Sequence, residues 1–272
     1  MLHFLHHHDR VNVGDVLSGP YHYFDLGAYE KLSWDVEILK KGVANVQYGD
    51  NVIMGGGIFF AEKKPNLETL VKKANNFIGW GIGMDPRMDL SKFSDKFSLL
   101  GTRERKSDLI DEERIFYVPC VSCMQDAFAP KAGRFGEDVE EESKFDVALH
   151  TNGGFNEKDV VRKFHKLEAY RTKTTSDFPK TIENLRQADC VVTNSYHGAY
   201  WGSLLGKKVV CLNTEVPKWG GLHDNVKFTT VDNVDEAISS AEAIPASYLD
   251  DCRHRNVDFF QRVKSALEHN SV

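Results

Sequence analysis

The chain lacks any uninterrupted apolar stretch approaching the roughly 18 to 20 residues that span a bilayer; glycine and polar residues break its longest runs, so no transmembrane segment is read. It also lacks a basic surplus. Its 34 Lys+Arg face 40 Asp+Glu for a formal net charge of −6, which excludes the cationic face that phosphate-backbone binding needs, and nucleic acid with it. Cysteine is sparse, odd in number and scattered (Cys120, Cys123, Cys190, Cys211, Cys252), so thiols are expected and not a disulfide framework. The first ten residues show no basic segment followed by an apolar run, so no export signal is read and a cytoplasmic location is expected. Repeats and low-complexity segments are absent as well.

What is there is a globular composition, 41% hydrophobic and 27% charged, too apolar for a disordered chain. At 272 residues the chain exceeds one comfortable core, and two domains of roughly 100 to 150 residues are expected. Short apolar runs ending in glycine alternate with amphipathic stretches, the pattern of parallel strands joined by crossover helices, so the fold class is α/β. Strands are expected near residues 2–5, 51–54, 76–80, 97–100 and 115–117, with helices near 15–24, 67–75 and 103–109. After the polar, acidic stretch 129–144, read as an interdomain linker, strands follow near 145–150, 168–171, 189–193 and 207–212. Helices are expected near 158–165, 179–188 and 198–205, and a long one at 246–268 closes the chain. The domains are therefore 1–130 and 145–272, the closing helix belonging to the second.

In open α/β sheets ligands bind at the carboxyl ends of strands, where glycine allows close approach and helix N-termini present N–H groups. Four glycine-bearing loops occupy such places: Asn12-Val-Gly-Asp15, Gly55-Gly-Gly57, Gly79-Trp-Gly-Ile-Gly83 and Gly101-Thr-Arg-Glu104. None is a dinucleotide fingerprint, since Met84 and Asp85 follow Gly83, and none carries a P-loop lysine. Arg103 is placed either to fork onto a carboxylate or phosphate or to pair with Glu104 on a helix surface. Asp15 either orients a hydroxyl or caps the first helix. The densest signal is Thr193-Asn-Ser-Tyr-His-Gly198, a polar elbow between a buried strand and a helix rich in small residues, which sets His197 to exchange protons near neutral pH. Cys120-Val-Ser-Cys123 has no second ligand pair for zinc, and His6-His-His8 reads as an exposed loop.

Taken together, Asn12-Val-Gly-Asp15, the Gly55–Gly57 triplet, Arg103-Glu-Arg-Lys-Ser107 and the elbow around His197 resemble the polysaccharide pyruvyl transferase family, over about residues 2 to 212. The resemblance implies two Rossmann-like lobes facing across a cleft, as in GT-B glycosyltransferases, and transfer of pyruvate from phosphoenolpyruvate to sugar hydroxyls as a ketal. It further implies that His197 is the catalytic histidine and that Arg103 and Lys218 bind donor anions. Asn12, Gly14, Asp15, Gly55, Gly56, Gly57, Ser195 and Gly198 complete the implied substrate-binding set. Phosphoenolpyruvate is then a co-substrate, with no metal or other cofactor expected. The acceptor is an oligosaccharide or lipid-linked sugar, which allows peripheral work at the inner membrane face. One position departs: Ser195 stands where many members carry arginine, which favours a rival reading as a glycosyltransferase using a nucleotide sugar. A non-catalytic carbohydrate-binding or assembly subunit is the remaining alternative.

Overall fold

A computed structural model of the chain describes residues 1–6, 12–33, 43–59, 64–84, 94–129, 145–151, 169–173, 177–212 and 220–269. The chain divides into two compact units, Met1–Ser122 with Pro217–Gly221 and Cys252–Val272, and Cys123–Val216 with Leu222–Asp251.

The first unit is built on a seven-stranded sheet of β1 (Leu2–His6), β2 (Tyr29–Ser33), β3 (Asn51–Gly55), β4 (Ile58–Phe59), β5 (Asn76–Met84), β6 (Leu99–Thr102) and β7 (Ile115–Tyr117). Its order is β2-β1-β3-β5-β6-β7, with β4 also pairing β5, and every pairing is parallel. Side chains alternate across a strand, so each strand feeds two cores. Leu5, Val52, Met54 and Phe77 pack with Leu67 and Leu70 of α2 (Lys64–Lys73) on one face. Leu2, Phe4, Ile53, Ile78 and Trp80 pack with Phe259 and Val263 of the closing helix on the other. Each fully buried side chain of this size contributes roughly 1.5 to 3 kcal/mol. At the amino-terminal strand ends Asp50 accepts hydrogen bonds from the Met1 ammonium (2.8 Å) and the Gln47 N–H (2.8 Å), with His3 Nε2 at 2.9 Å. Burial pushes the carboxyl up, but these donors outweigh it and hold its pKa at about 2.

The second unit carries a five-stranded parallel sheet, β12-β11-β10-β8-β9, of β8 (Phe145–Thr151), β9 (Ala169–Lys173), β10 (Ala188–Thr193), β11 (Lys208–Leu212) and β12 (Lys227–Thr229). Val147, Leu149, Cys190, Val192, Val210 and Leu212 form one core with Val234 at the start of α5 (Val234–Ser240). α3 (Phe178–Arg186) starts on the side-chain cap of Asp177 with Pro179 in its first turn. α4 (Tyr196–Leu204) lies close to the sheet because Gly202 has no Cβ; one built there would stand 3.0 Å from Val191 and 3.1 Å from Val209.

The α/β reading and most strands hold, and several elements differ. The helix expected at 15–24 is the four-residue α1 (Val13–Val16) followed by a 3-10 turn, Pro20–His22; proline holds the preceding Gly19 extended (ψ 121°), and the helix stops. The helix expected at 103–109 is a series of turns. Thr102 Oγ1 accepts from the Glu104 N–H (3.1 Å), Ser107 Oγ from that of Leu109 (3.3 Å), and the Gly220 carbonyl from that of Arg105 (3.2 Å), which diverts the helical donors. The sequence pattern does not anticipate β2, β4, β12 or α5. The closing helix α6 (Ser247–His269) packs from Cys252 onward in the first unit, not in the second domain as expected. There Trp80 Nε1 donates to Asn256 Oδ1 (2.9 Å), and Asn256 Nδ2 to the Pro119 carbonyl (3.3 Å). All of the expected linker 129–144 but Ala129, and the helix expected at 158–165, lie outside the described residues. Among the described residues no helix is long and apolar enough to cross a membrane, and all five cysteines are buried.

Among the described residues each sheet has one place where the chain reverses its direction of winding. From β1 it steps outward to β2 and then returns to β3 on the other side; from β8 it steps to β9 and returns to β10. Beyond the carboxyl ends of such strand pairs open α/β sheets hold their ligands.

Candidate active site

At the first switch point, between β1 and β3, the turn around α1 (Val13–Val16) and the Gly55–Gly57 loop meet. Asn12 caps α1, its side chain accepting from the Gly14 N–H at 3.1 Å, so the cap is Asn12 and not Asp15. Ser18 Oγ donates to the Asp15 carbonyl at 2.8 Å. The glycine triplet packs on this turn: Gly56 and Gly57 have φ of 57° and 87°, and a Cβ on Gly56 would overlap Ser18 Oγ. The Gly56 N–H donates to the Trp80 carbonyl at 3.2 Å, and the Gly57 carbonyl accepts from Gly83 at 3.0 Å. The triplet therefore works by shape, and the Gly56 N–H is already engaged. His6, the last residue of β1, is buried and contacts both loops, not an exposed loop as expected; His7 and His8 lie outside the described residues.

Arg103 follows β6 and is 2% exposed. A Cβ on Gly83 would overlap its guanidinium, and one on Gly221 would overlap its carbonyl, so glycine at both positions is what lets Arg103 lie where it does. Beside it Cys120 is buried; burial pushes the thiol pKa up, the nearby Arg103 charge pulls it down and Asp15 raises it. One buried thiol thus feels the charges of both Arg103 and Asp15. Lys218 lies outside the described residues.

At the second switch point β10 ends in Thr193, whose Oγ1 donates to the His150 carbonyl at 2.6 Å and accepts from the Ser195 N–H at 2.9 Å. Ser195 is extended (φ −106°, ψ 133°) and caps α4, its Oγ accepting from the Gly198 N–H at 3.5 Å. His197, in the first turn, is 5% exposed. The Tyr196 ring stands 5.4 Å from it, edge-on, and the Trp201 ring 5.4 Å, tilted. Trp201 also meets His150, edge-on at 5.9 Å. A Cβ on Gly198 would overlap Thr193 Oγ1 and stand 2.5 Å from the His150 ring, so glycine here is what admits both residues to the helix start.

Sequence reasoning misplaced His6 in an exposed loop and missed His150 and the role of Thr193. The signal was available: Leu-His-Phe-Leu-His6 and Phe-Asp-Val-Ala-Leu-His150 each end the first apolar run of a half on histidine, the switch-point position in a doubly wound sheet.

Burial pushes the His150 pKa down to about 4, so its ring is neutral in the fold near pH 7. A histidine with a depressed folded value contributes stability that is present above its unfolded pKa of 6.5 and is lost as pH falls through 4. Between those limits about 3 kcal/mol of stability is expected to vanish. Urea melts of wild type and His150→Phe across this window check it; equal acid slopes would exclude His150 as the cause.

Residues 3–215 match the family described as polysaccharide pyruvyl transferase. No curated protein matches the chain in sequence. Among solved structures, a putative UDP-N-acetylglucosamine 2-epimerase from Listeria monocytogenes is similar with a TM-score of 0.57 at 10% identity, over 98% of this chain and 96% of that one. UDP-GlcNAc 2-epimerase from Neisseria meningitidis bound to UDP-GlcNAc has a TM-score of 0.54 at 9% identity, over 96% and 98%. A functionally uncharacterized protein from Klebsiella pneumoniae has 0.52 at 15% identity, over 84% and 92%. At such identities the likeness is one of fold.

Proposed function

The chain belongs to the polysaccharide pyruvyl transferase family, and from that premise we propose that it transfers pyruvate from phosphoenolpyruvate to two hydroxyls of a sugar, forming a ketal. The acceptor is a surface polysaccharide or its lipid-linked precursor, met in the cytoplasm at the inner membrane face. Protonation of the donor's C3 methylene makes C2 electrophilic. One sugar hydroxyl adds there; a second displaces phosphate and closes the ring. One hydroxyl proton balances the proton taken up at C3, the other leaves with phosphate. The pyruvyl carbons pass to the sugar and phosphate leaves with no net oxidation or reduction, so the scheme calls for phosphoenolpyruvate as co-substrate and for no metal or redox cofactor.

His197 serves as general acid and base, and Arg103 and Lys218 hold the donor's carboxylate and phosphate. The observation that carries the reading is the imidazole of His197 at the switch point of the second sheet, in the first turn of a capped helix and beside a polar strand end. Sugar transfer from a nucleotide sugar is favoured by one observation: Ser195, where many family members have arginine, is a helix cap and supplies no cation.

The test incubates the protein with phosphoenolpyruvate and candidate oligosaccharides. Phosphate release with an acceptor mass gain of one pyruvate less one water supports the proposal. A melting temperature raised by nucleotide sugars and unmoved by phosphoenolpyruvate, with no phosphate released, defeats it.

A further inference from the structure

His6 ends β1 at the first switch point and is 1% exposed. Its Nδ1 lies 2.9 Å from the Gly55 carbonyl and its Nε2 3.1 Å from the Val16 carbonyl. A carbonyl oxygen only accepts. A neutral imidazole has one N–H and one bare nitrogen, so it can bond one of these carbonyls and must set a lone pair against the other; the doubly protonated ring donates to both. We infer that His6 is held as an imidazolium that ties the α1 turn to the Gly55–Gly57 loop and places a fixed positive charge under the switch point, favouring a small dianion there.

The two carbonyls carry the charge on their own, against the like charge of Lys31 nearby. Of the groups packed around it among the described residues, Tyr21 stands edge-on at 5.7 Å and Lys31 covers the Tyr21 ring at 4.3 Å. His22 shares the Val16 carbonyl, with its Nε2 at 3.1 Å. Burial lowers the His22 pKa, a bond to Val16 raises it and Lys31 lowers it; on balance it falls below 6.5, so the second imidazole is neutral near pH 7 and does not compete as a like charge. Asp15 lies on the α1 turn, one residue before Val16. Two loops whose glycines allow contact within a few ångströms are thus joined by one cation, and the loss of a proton would release one of them. His6 is on this account a positioning residue; its use toward a donor rests on the pyruvyl-transfer reading, whereas its charge does not.

The experiment has two readouts. Nitrogen-15 NMR of histidine-labelled, ligand-free protein at pH 7.5, assigned by comparison with His6→Gln, is expected to show both His6 ring nitrogens protonated. A ring with one bare nitrogen overturns the inference, whatever the donor. In steady-state assays His6→Gln is expected to raise KM for phosphoenolpyruvate about tenfold, with a much smaller fall in kcat and loss of the wild-type rise in KM at alkaline pH. A charged ring with KM within twofold of wild type at every pH overturns the positioning role. Should phosphoenolpyruvate prove not to be the donor, the NMR result alone decides, so the two failures are told apart.

Discussion

His197→Ala is expected to lower phosphoenolpyruvate-dependent phosphate release by about 10²- to 10⁴-fold, the usual worth of a positioned acid and base. The direction follows from the reaction: the C3 methylene takes up a proton and the sugar hydroxyls must lose theirs, and the expected effect is on kcat. His197 is 5% exposed beside Tyr196 and Trp201, so removing the ring also leaves a void, costing roughly 2 to 3 kcal/mol. His197→Gln fills more of that space without restoring a group that titrates near neutrality. The two variants should therefore differ in melting temperature and share the loss of turnover. Assays run well below both melts separate the effects. Turnover by His197→Gln within threefold of wild type would remove this residue from the chemistry and leave the non-catalytic reading standing.

How far the sequence anticipates this site depends on which force decides each element. β1, β3, β8 and β10 are buried on both faces and read as apolar runs, and their pattern is enough to find them. β2, Tyr-Glu-Lys-Leu-Ser33, is an edge strand with one inward-facing leucine, too polar to stand out until β1 supplies its partner register. The turns after Arg103 depend on side-chain hydroxyls and on Gly220, distant in sequence. The closing helix shows its apolar side in the sequence, but the side's destination is fixed by Trp80 and Asn256, 176 positions apart.

The glycines show the same division. Their clustering at strand ends is visible in the sequence and suggests close approach by a ligand. In the structure the approach at Gly56 is by Ser18, at Gly83 by Arg103, and at Gly198 by His150 and Thr193. The glycines are thus packing partners of side chains at the strand ends, of which Arg103 alone is expected from sequence to carry chemistry. His6 is misread and His150 overlooked in sequence for a related reason: a histidine closing an apolar run acquires meaning only when the strand order shows that run to be the switch point.

This makes Gly198→Ala the sharpest single change. In an ordinary helix interior the substitution stabilises, by up to about 1 kcal/mol. Here the sign reverses, because the added methyl would overlap Thr193 Oγ1 and meet the His150 ring. Neither can give way easily: Thr193 Oγ1 is held by the His150 carbonyl at 2.6 Å and the Ser195 N–H at 2.9 Å, and His150 is fully buried. The first turn of α4 must move instead, at an overpacking cost of roughly 1 to 3 kcal/mol, and His197 moves with it. A displacement on the order of 1 Å costs about 10²-fold in rate, so turnover should fall a hundredfold while the unit remains folded. Gly202→Ala is the control. Its methyl would press on Val191 and Val209 one turn along, lowering the melting temperature comparably but leaving the start of the helix in place, so turnover by the folded fraction should survive. Adding His150→Ala to Gly198→Ala removes one of the two obstacles, and stability should return further than activity. If Gly198→Ala turns over as fast as Gly202→Ala, the start of α4 is not where the reaction occurs.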